Sequence, residues 1–119
     1  MKMKKPTYSI LAIDRDEHTS GLICSALSPE GYRVHVESDI SEGLRKFIET
    51  KPDLVILNID TFSKKGLAPL RQFCEADPNA KVVGIGTHLD DGLAMECMRH
   101  GAQDYLKKPL VTKDLLHTI

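Results

Sequence analysis

The sequence lacks long apolar runs, paired cysteines and an excess of either charge. None of its 119 residues lie in a stretch near the ~20 apolar residues that a membrane-spanning helix needs. The formal net charge is −1, which disfavours a direct nucleic-acid partner and attraction to an anionic membrane surface. The three cysteines form no Cys-x-x-Cys pair, and the five histidines show no metal-ligand spacing. We therefore expect a soluble, cytoplasmic protein with no membrane partner, no metal site and no cofactor.

Short apolar runs alternate with amphipathic segments along the whole chain. Helical spacing of apolar residues fills the intervals between the runs, which is the pattern of repeated βα units. Such units predict a parallel sheet with right-handed crossovers and helices on both faces, an α/β fold. The five predicted strands are residues 8–13, 32–37, 53–58, 81–86 and 103–106.

Helix boundaries are marked by residues with defined capping roles. Asp39, with Glu42 three residues later, can satisfy the free amides that open the second helix. Gly31 and Gly101 follow the first and fourth helices, where a glycine favours the left-handed conformation. A fifth helix should begin near Thr112, and the chain stops after barely two further turns. We expect this helix to be truncated, with an effector domain as one candidate for the continuation; the alternative is an unusually short helix.

Asn58 is the most informative position in the chain. It ends the apolar run of residues 53–58, which reads as a strand buried on both faces. Ligands and chemistry in parallel α/β sheets lie at the carboxyl ends of the strands. An amide at this end can neither accept a phosphoryl group nor serve as an anionic metal ligand.

Several segments together resemble the receiver domain of two-component response regulators. The resemblance runs over essentially the whole chain, residues 1–119. It implies a flavodoxin-like, doubly wound five-stranded parallel sheet with strand order 2-1-3-4-5. The segments that carry it are Ile10-Leu11-Ala12-Ile13-Asp14, Pro52-Asp53-Leu54-Val55-Ile56-Leu57, Gly66-Leu67 and Gly101-Ala102-Gln103-Asp104-Tyr105-Leu106-Lys107-Lys108-Pro109.

The family's acidic site is only partly matched. Receivers use two adjacent acids after the first strand and an acceptor aspartate after the third to bind Mg²⁺ and take a phosphoryl group. Here Asp14 matches the first acid, whereas Arg15 and Asn58 stand at the other two positions. A hard cation needs carboxylate oxygens, and an amide is a poor nucleophile, so an acyl phosphate is not expected. We expect Arg15 to pair with Asp14, and with the loop acid Asp60, in place of the metal.

The family's switch residues are matched more fully. By the resemblance, Thr87 is the hydroxyl that follows the phosphoryl oxygen, Tyr105 is the rotating aromatic switch, and Lys108 is the lysine before a commonly cis proline. Each has a simpler interpretation: Thr87 as a helix cap, Tyr105 as a half-buried strand aromatic, and Lys108 as a surface lysine. Asp16 is better explained as a first-turn acid favoured by the helix dipole than as a ligand.

Three functions compete. The favoured one is a non-enzymatic, phosphorylation-independent receiver that binds a protein partner or a second copy of itself through the fourth helix, fifth strand and fifth helix around Tyr105. The alternative is a Mg²⁺-dependent receiver that is phosphorylated on a displaced acid such as Asp60. A flavodoxin-type cofactor binder is disfavoured because the loop of residues 14–17 lacks the small and hydroxyl residues of a phosphate cradle.

Overall fold

Five strands and five α-helices alternate along the chain. The computed structural model describes residues 8–59, 68–87 and 91–119. A short 3-10 turn, Ser28–Glu30, follows the first helix. The strands are β1 (Ser9–Ile13), β2 (Arg33–Glu37), β3 (Leu54–Asn58), β4 (Lys81–Gly86) and β5 (Asp104–Lys107). The helices are α1 (Glu17–Leu27), α2 (Ile40–Thr50), α3 (Ala68–Ala76), α4 (Asp91–Arg99) and α5 (Thr112–Thr118).

The strands form one parallel sheet in the order β2-β1-β3-β4-β5. The predicted fold class is therefore confirmed, and each strand boundary agrees with its prediction to within one residue. The order in which strands are added to the sheet reverses after β2. As a result β2 lies on one side of β1, and β3, β4 and β5 lie on the other. In open α/β sheets the crevice at such a reversal is where ligands bind.

Alternate residues of each strand face opposite layers of helices. In β3, Val55 and Leu57 belong to the apolar cluster on the side of α2, α3 and α4, whereas Leu54 and Ile56 belong to the cluster on the side of α1 and α5. This follows from the two-residue period of a strand, and burial on both faces explains why the run is continuously apolar.

One glycine allows helix α2 to lie close against the sheet. A Cβ atom built on Gly43 would overlap with Cδ1 of Ile13, closer than real Cβ atoms approach another atom. Any side chain here would require the Ile13 side chain or helix α2 to shift. The contact is tight because Ile13 lies in the layer that α2 covers.

The predicted caps are confirmed for Asp39 and Gly101, whereas the Glu42 side chain does not take part in the cap and Gly31 ends the 3-10 turn that follows α1. The Asp39 carboxylate accepts a hydrogen bond from the Glu42 backbone amide at 3.2 Å, and the Glu42 side chain pairs with Arg45. Gly31 and Gly101 have positive φ values of 92° and 112°. Within the described residues, no helix is long and apolar enough to cross a membrane.

Candidate functional site

Asp14, which directly follows β1, and Asn58, the last residue of β3, lie side by side. The two strands are neighbours, and their register pairs Ile13 with Leu57, so the next residues, Asp14 and Asn58, meet at the carboxyl edge of the sheet. Both residues are buried, with 3% and 8% of their surfaces exposed. The strand pairing alone therefore brings a carboxylate and an amide together in a nearly dry environment.

The Asn58 amide donates a hydrogen bond to the carboxylate of Asp14. Its Nδ2 atom lies 2.8 Å from Oδ1 of Asp14. An ionised carboxylate only accepts hydrogen bonds, so this contact requires the NH₂ group of Asn58 to face it. The backbone amide of Asp16 donates to the same oxygen at 2.9 Å. Oδ1 of Asp14 thus has two donors.

Lys108 neutralises the other oxygen of this carboxylate. Its Nζ atom lies 2.8 Å from Oδ2 of Asp14, and the side chains of the two residues are 12% and 1% exposed. The Lys108 backbone amide donates to the carbonyl of Gly86 at 2.7 Å, which holds the residue at the end of β5 beside β4. The peptide bond between Lys108 and Pro109 is cis. Lys108 is thus part of the site rather than an ordinary surface lysine.

The expected ion pair between Arg15 and Asp14 is not found. Arg15 is exposed and forms no ion pair with any described residue, because Lys108 already occupies the free oxygen of Asp14. The Arg15 side chain instead lines a cavity of about 60 Å³ that Asp14, Asp39 and Asn58 also line. The second expected partner, Asp60, lies outside the described residues.

Asp16 is the N-cap residue of helix α1. Its carboxylate accepts hydrogen bonds from the Thr19 hydroxyl at 2.7 Å and from the His18 backbone amide at 3.1 Å. These two hydrogen bonds lower the pKa of Asp16 below its usual value, and the bond from Thr19 has the larger effect. This cap fixes the turn after β1, and the turn directs the Asp16 amide toward Asp14.

The family called "Response regulator receiver domain" matches residues 10–119 of the sequence. The chain belongs to this family. It is 33% identical over 115 residues to the chemotaxis protein CheY of Treponema pallidum, covering 94% of this chain and 80% of that protein. It is 27% identical over 111 residues to the CheY of Listeria monocytogenes, covering 92% of this chain and 93% of that protein. A response regulator structure from Thermotoga maritima matches with a TM-score of 0.89 at 25% identity, covering 95% and 94% of the two chains.

Two further receiver positions lie at the same edge or beside it. Thr87 directly follows β4 and is exposed, and Tyr105, in β5, is 9% exposed. Tyr105 packs in the apolar cluster with Ile59, on the side of the sheet that α2, α3 and α4 cover. The aromatic ring is thus more deeply buried than the simpler interpretation, a half-buried strand aromatic, implied.

The described residues do not fit the Mg²⁺ ion that receivers use. Among the described residues, Asp14 is the acid at the centre of the site, and its two oxygens already interact with Asn58, the Asp16 amide and the Lys108 ammonium group. The described residues contain no group of three potential His, Cys, Asp or Glu ligands. Mg²⁺ needs near-octahedral oxygen ligation and usually one or two carboxylates. A Mg²⁺ ion here would find one described carboxylate, and that carboxylate already has the Lys108 ammonium group 2.8 Å from one of its oxygens.

The sequence patterns did not lead us to predict the direct hydrogen bond from Asn58 to Asp14. The signal was available, since the resemblance implies that strands one and three are neighbours. A carboxylate and an amide that end neighbouring parallel strands are close enough to bond.

Proposed function

We propose that this receiver domain takes part in two-component signalling without being phosphorylated at Asn58. The observation that carries the proposal is the closed network around Asp14, in which the Asn58 amide and the Lys108 ammonium group each lie 2.8 Å from one carboxylate oxygen. A phosphorylatable receiver needs those oxygens for the metal. Here the Asn58 amide donates a hydrogen bond to one of them, and the Lys108 ammonium group forms an ion pair with the other.

The chemistry of the acceptor position supports the same proposal. Phosphoryl transfer to a side chain needs a nucleophile, and the amide oxygen of Asn58 is too weakly nucleophilic for covalent catalysis of this kind. Its amide nitrogen is turned toward Asp14 and donates its hydrogen there. We accordingly propose no catalytic role for the domain and assign its output to binding.

The binding surface that we propose is formed by α4, β5 and the start of α5. Met95 and Met98, three residues apart on α4, are 56% and 48% exposed, and Val111 at the start of α5 is 53% exposed. Residues three apart lie on one side of a helix, so the two methionines form a common apolar surface. Methionine is adaptable in shape and suits a protein partner. The partner would be another protein, a second copy of the chain or an attached effector domain.

The test is treatment of the protein with Mg²⁺ and acetyl phosphate, followed by intact mass measurement. We expect no added phosphoryl group, whereas a receiver with an acceptor aspartate treated in parallel should gain one. A stoichiometric, hydroxylamine-sensitive adduct would overturn the proposal. If peptide mapping placed it on Asp60, the displaced-acid alternative would replace it.

The binding half of the proposal has a separate test. Met95→Ser and Met98→Ser together should weaken self-association, measured by sedimentation, or the binding of an attached or separate partner. Ile48→Ser on α2 is the matched control, because Ile48 is 59% exposed and lies on a different helix. Equal effects of the α4 and α2 changes would argue against the α4 surface.

A further inference from the structure

Gly84 and Tyr105 occupy matching places on neighbouring strands. The register of β4 with β5 pairs them directly. Register partners on parallel strands direct their side chains to the same face of the sheet. Gly84 is also paired with Leu57 of β3, which lies in the same apolar layer as Tyr105. A side chain at position 84 would therefore enter this layer between Leu57 and Tyr105.

The aromatic ring of Tyr105 fills the place that such a side chain would take. A Cβ atom built on Gly84 would lie 3.1 Å from Cδ2 and 3.6 Å from Cε2 of Tyr105. It would also lie 3.7 Å from Cγ2 of Ile59. The first distance is tighter than ordinary van der Waals contact, so the ring lies directly over the glycine backbone. A glycine within a strand often marks such a close approach.

We infer that Gly84 is the positioning residue that holds Tyr105 in its buried conformation. Tyr105 lies on β5, which is an edge strand of the sheet that the described residues form, with β4 as its neighbour there. Its ring therefore has two directions to take, inward over Gly84 or outward past the free edge. Glycine leaves the inward place open, and burial of a large aromatic surface stabilises the ring there.

A Tyr105 ring that Gly84 keeps inward affects how the domain signals. If Gly84 stabilises the inward ring without any phosphoryl group, the surface around α4 and β5 has one preset shape. This consequence rests on the proposed function, whereas the position of the ring does not. The experiment below measures the ring and leaves the acetyl phosphate result unaffected.

The test replaces Gly84 with valine and follows the Tyr105 ring by NMR. In the unchanged protein we expect nuclear Overhauser contacts between the Gly84 Hα atoms and the ring, and no photo-CIDNP signal from Tyr105 with a flavin dye. Gly84→Val should remove the ring contacts to Ile59 and make the Tyr105 ring accessible to the dye. Gly84→Ala should give a smaller shift, because the neighbouring ring needs to move by only a few tenths of an ångström.

Gly21→Val is the matched control. A Cβ atom at Gly21 meets nothing within 4 Å, so this change should leave the Tyr105 signals unaltered. Retention of the buried ring in folded Gly84→Val, or a dye-accessible ring in the unchanged protein, would overturn the inference.

A second variant covers the case in which Gly84→Val does not fold. Combining it with Tyr105→Ala removes the ring that the valine would meet. If the ring is the obstacle, the double variant should fold, with a urea midpoint near that of Tyr105→Ala alone. If the double variant also remains unfolded, the obstacle is the strand itself and the inference fails.

Discussion

Replacing Lys108 with methionine isolates the contribution of its ion pair with Asp14. The change keeps the length and most of the apolar stem of the side chain, and it removes the ammonium group 2.8 Å from Oδ2 of Asp14. The carboxylate would keep its two donors on the other oxygen, the Asn58 amide and the Asp16 amide. It would be left as a buried negative charge with no cation beside it.

The geometry gives the size of the effect. At 2.8 Å and an effective dielectric constant of ~20, a pair of unit charges interacts by about 6 kcal/mol before desolvation is subtracted. The net cost of removing one partner of a buried pair is about 3–5 kcal/mol. The Asp14 side chain is only 1% exposed, so solvent screens little of this interaction. The loss is a large part of the ~5–15 kcal/mol that stabilises a typical domain.

Urea unfolding measures this loss directly. With a denaturant dependence of ~2 kcal/mol per molar, Lys108→Met should lower the unfolding midpoint by about 1.5–2.5 M. Lys107→Met is the matched control, since Lys107 is the adjacent lysine and is exposed. Its change in unfolding free energy should stay within ~0.5 kcal/mol. Adding Asp14→Asn to Lys108→Met should restore part of the stability, because the unpaired charge is then gone.

Equal midpoints for Lys108→Met and Lys107→Met would contradict the claim that the ion pair between Lys108 and Asp14 stabilises the fold. Such a result would mean that water reaches Asp14 and that the carboxylate needs no cation. The closed network would then no longer account for the exclusion of a metal ion.

Two other predictions concern the same edge of the sheet and the buried thiol. Asn58→Asp alone should bind Mg²⁺ weakly in a calorimetric titration, and adding Arg15→Asp should strengthen binding by about tenfold or more. The reason is that a charge reversal at ~4 Å in water removes one repulsion and adds one attraction, each worth about 2 kcal/mol for a divalent cation before salt screening; equal affinities would show that Arg15 has no influence on the cation. Desolvation raises the pKa of Cys97 to about 11, so its thiolate fraction at pH 8 is about one in a thousand. Cys97 should resist iodoacetamide in the folded protein and react in urea, by peptide mass mapping, and equal rates would contradict its burial.

The fold and the position of the site at the carboxyl edge could be predicted from local sequence patterns. The period of two in the strands and the helical spacing between them depend on local patterns, because each element must bury one or two faces. Asp39 as a cap and Gly101 as a left-handed residue are equally local, since each acts on the backbone of its own helix end. The carboxyl edge followed from parallel pairing, and with it the meeting of Asp14 and Asn58.

Which cation pairs with Asp14 depends on tertiary contacts and could not be predicted from local sequence patterns. Arg15 is adjacent in sequence, yet its side chain lies at the surface, while Lys108 reaches the carboxylate from the end of β5. The same is true of Gly84, whose role depends on the register between β4 and β5 and on the ring of Tyr105 across it. Sequence patterns specify which face a residue occupies, because that depends on its own strand. They do not specify which distant side chain fills the adjoining space, because that depends on how separate strands align and on which groups desolvation forces to pair.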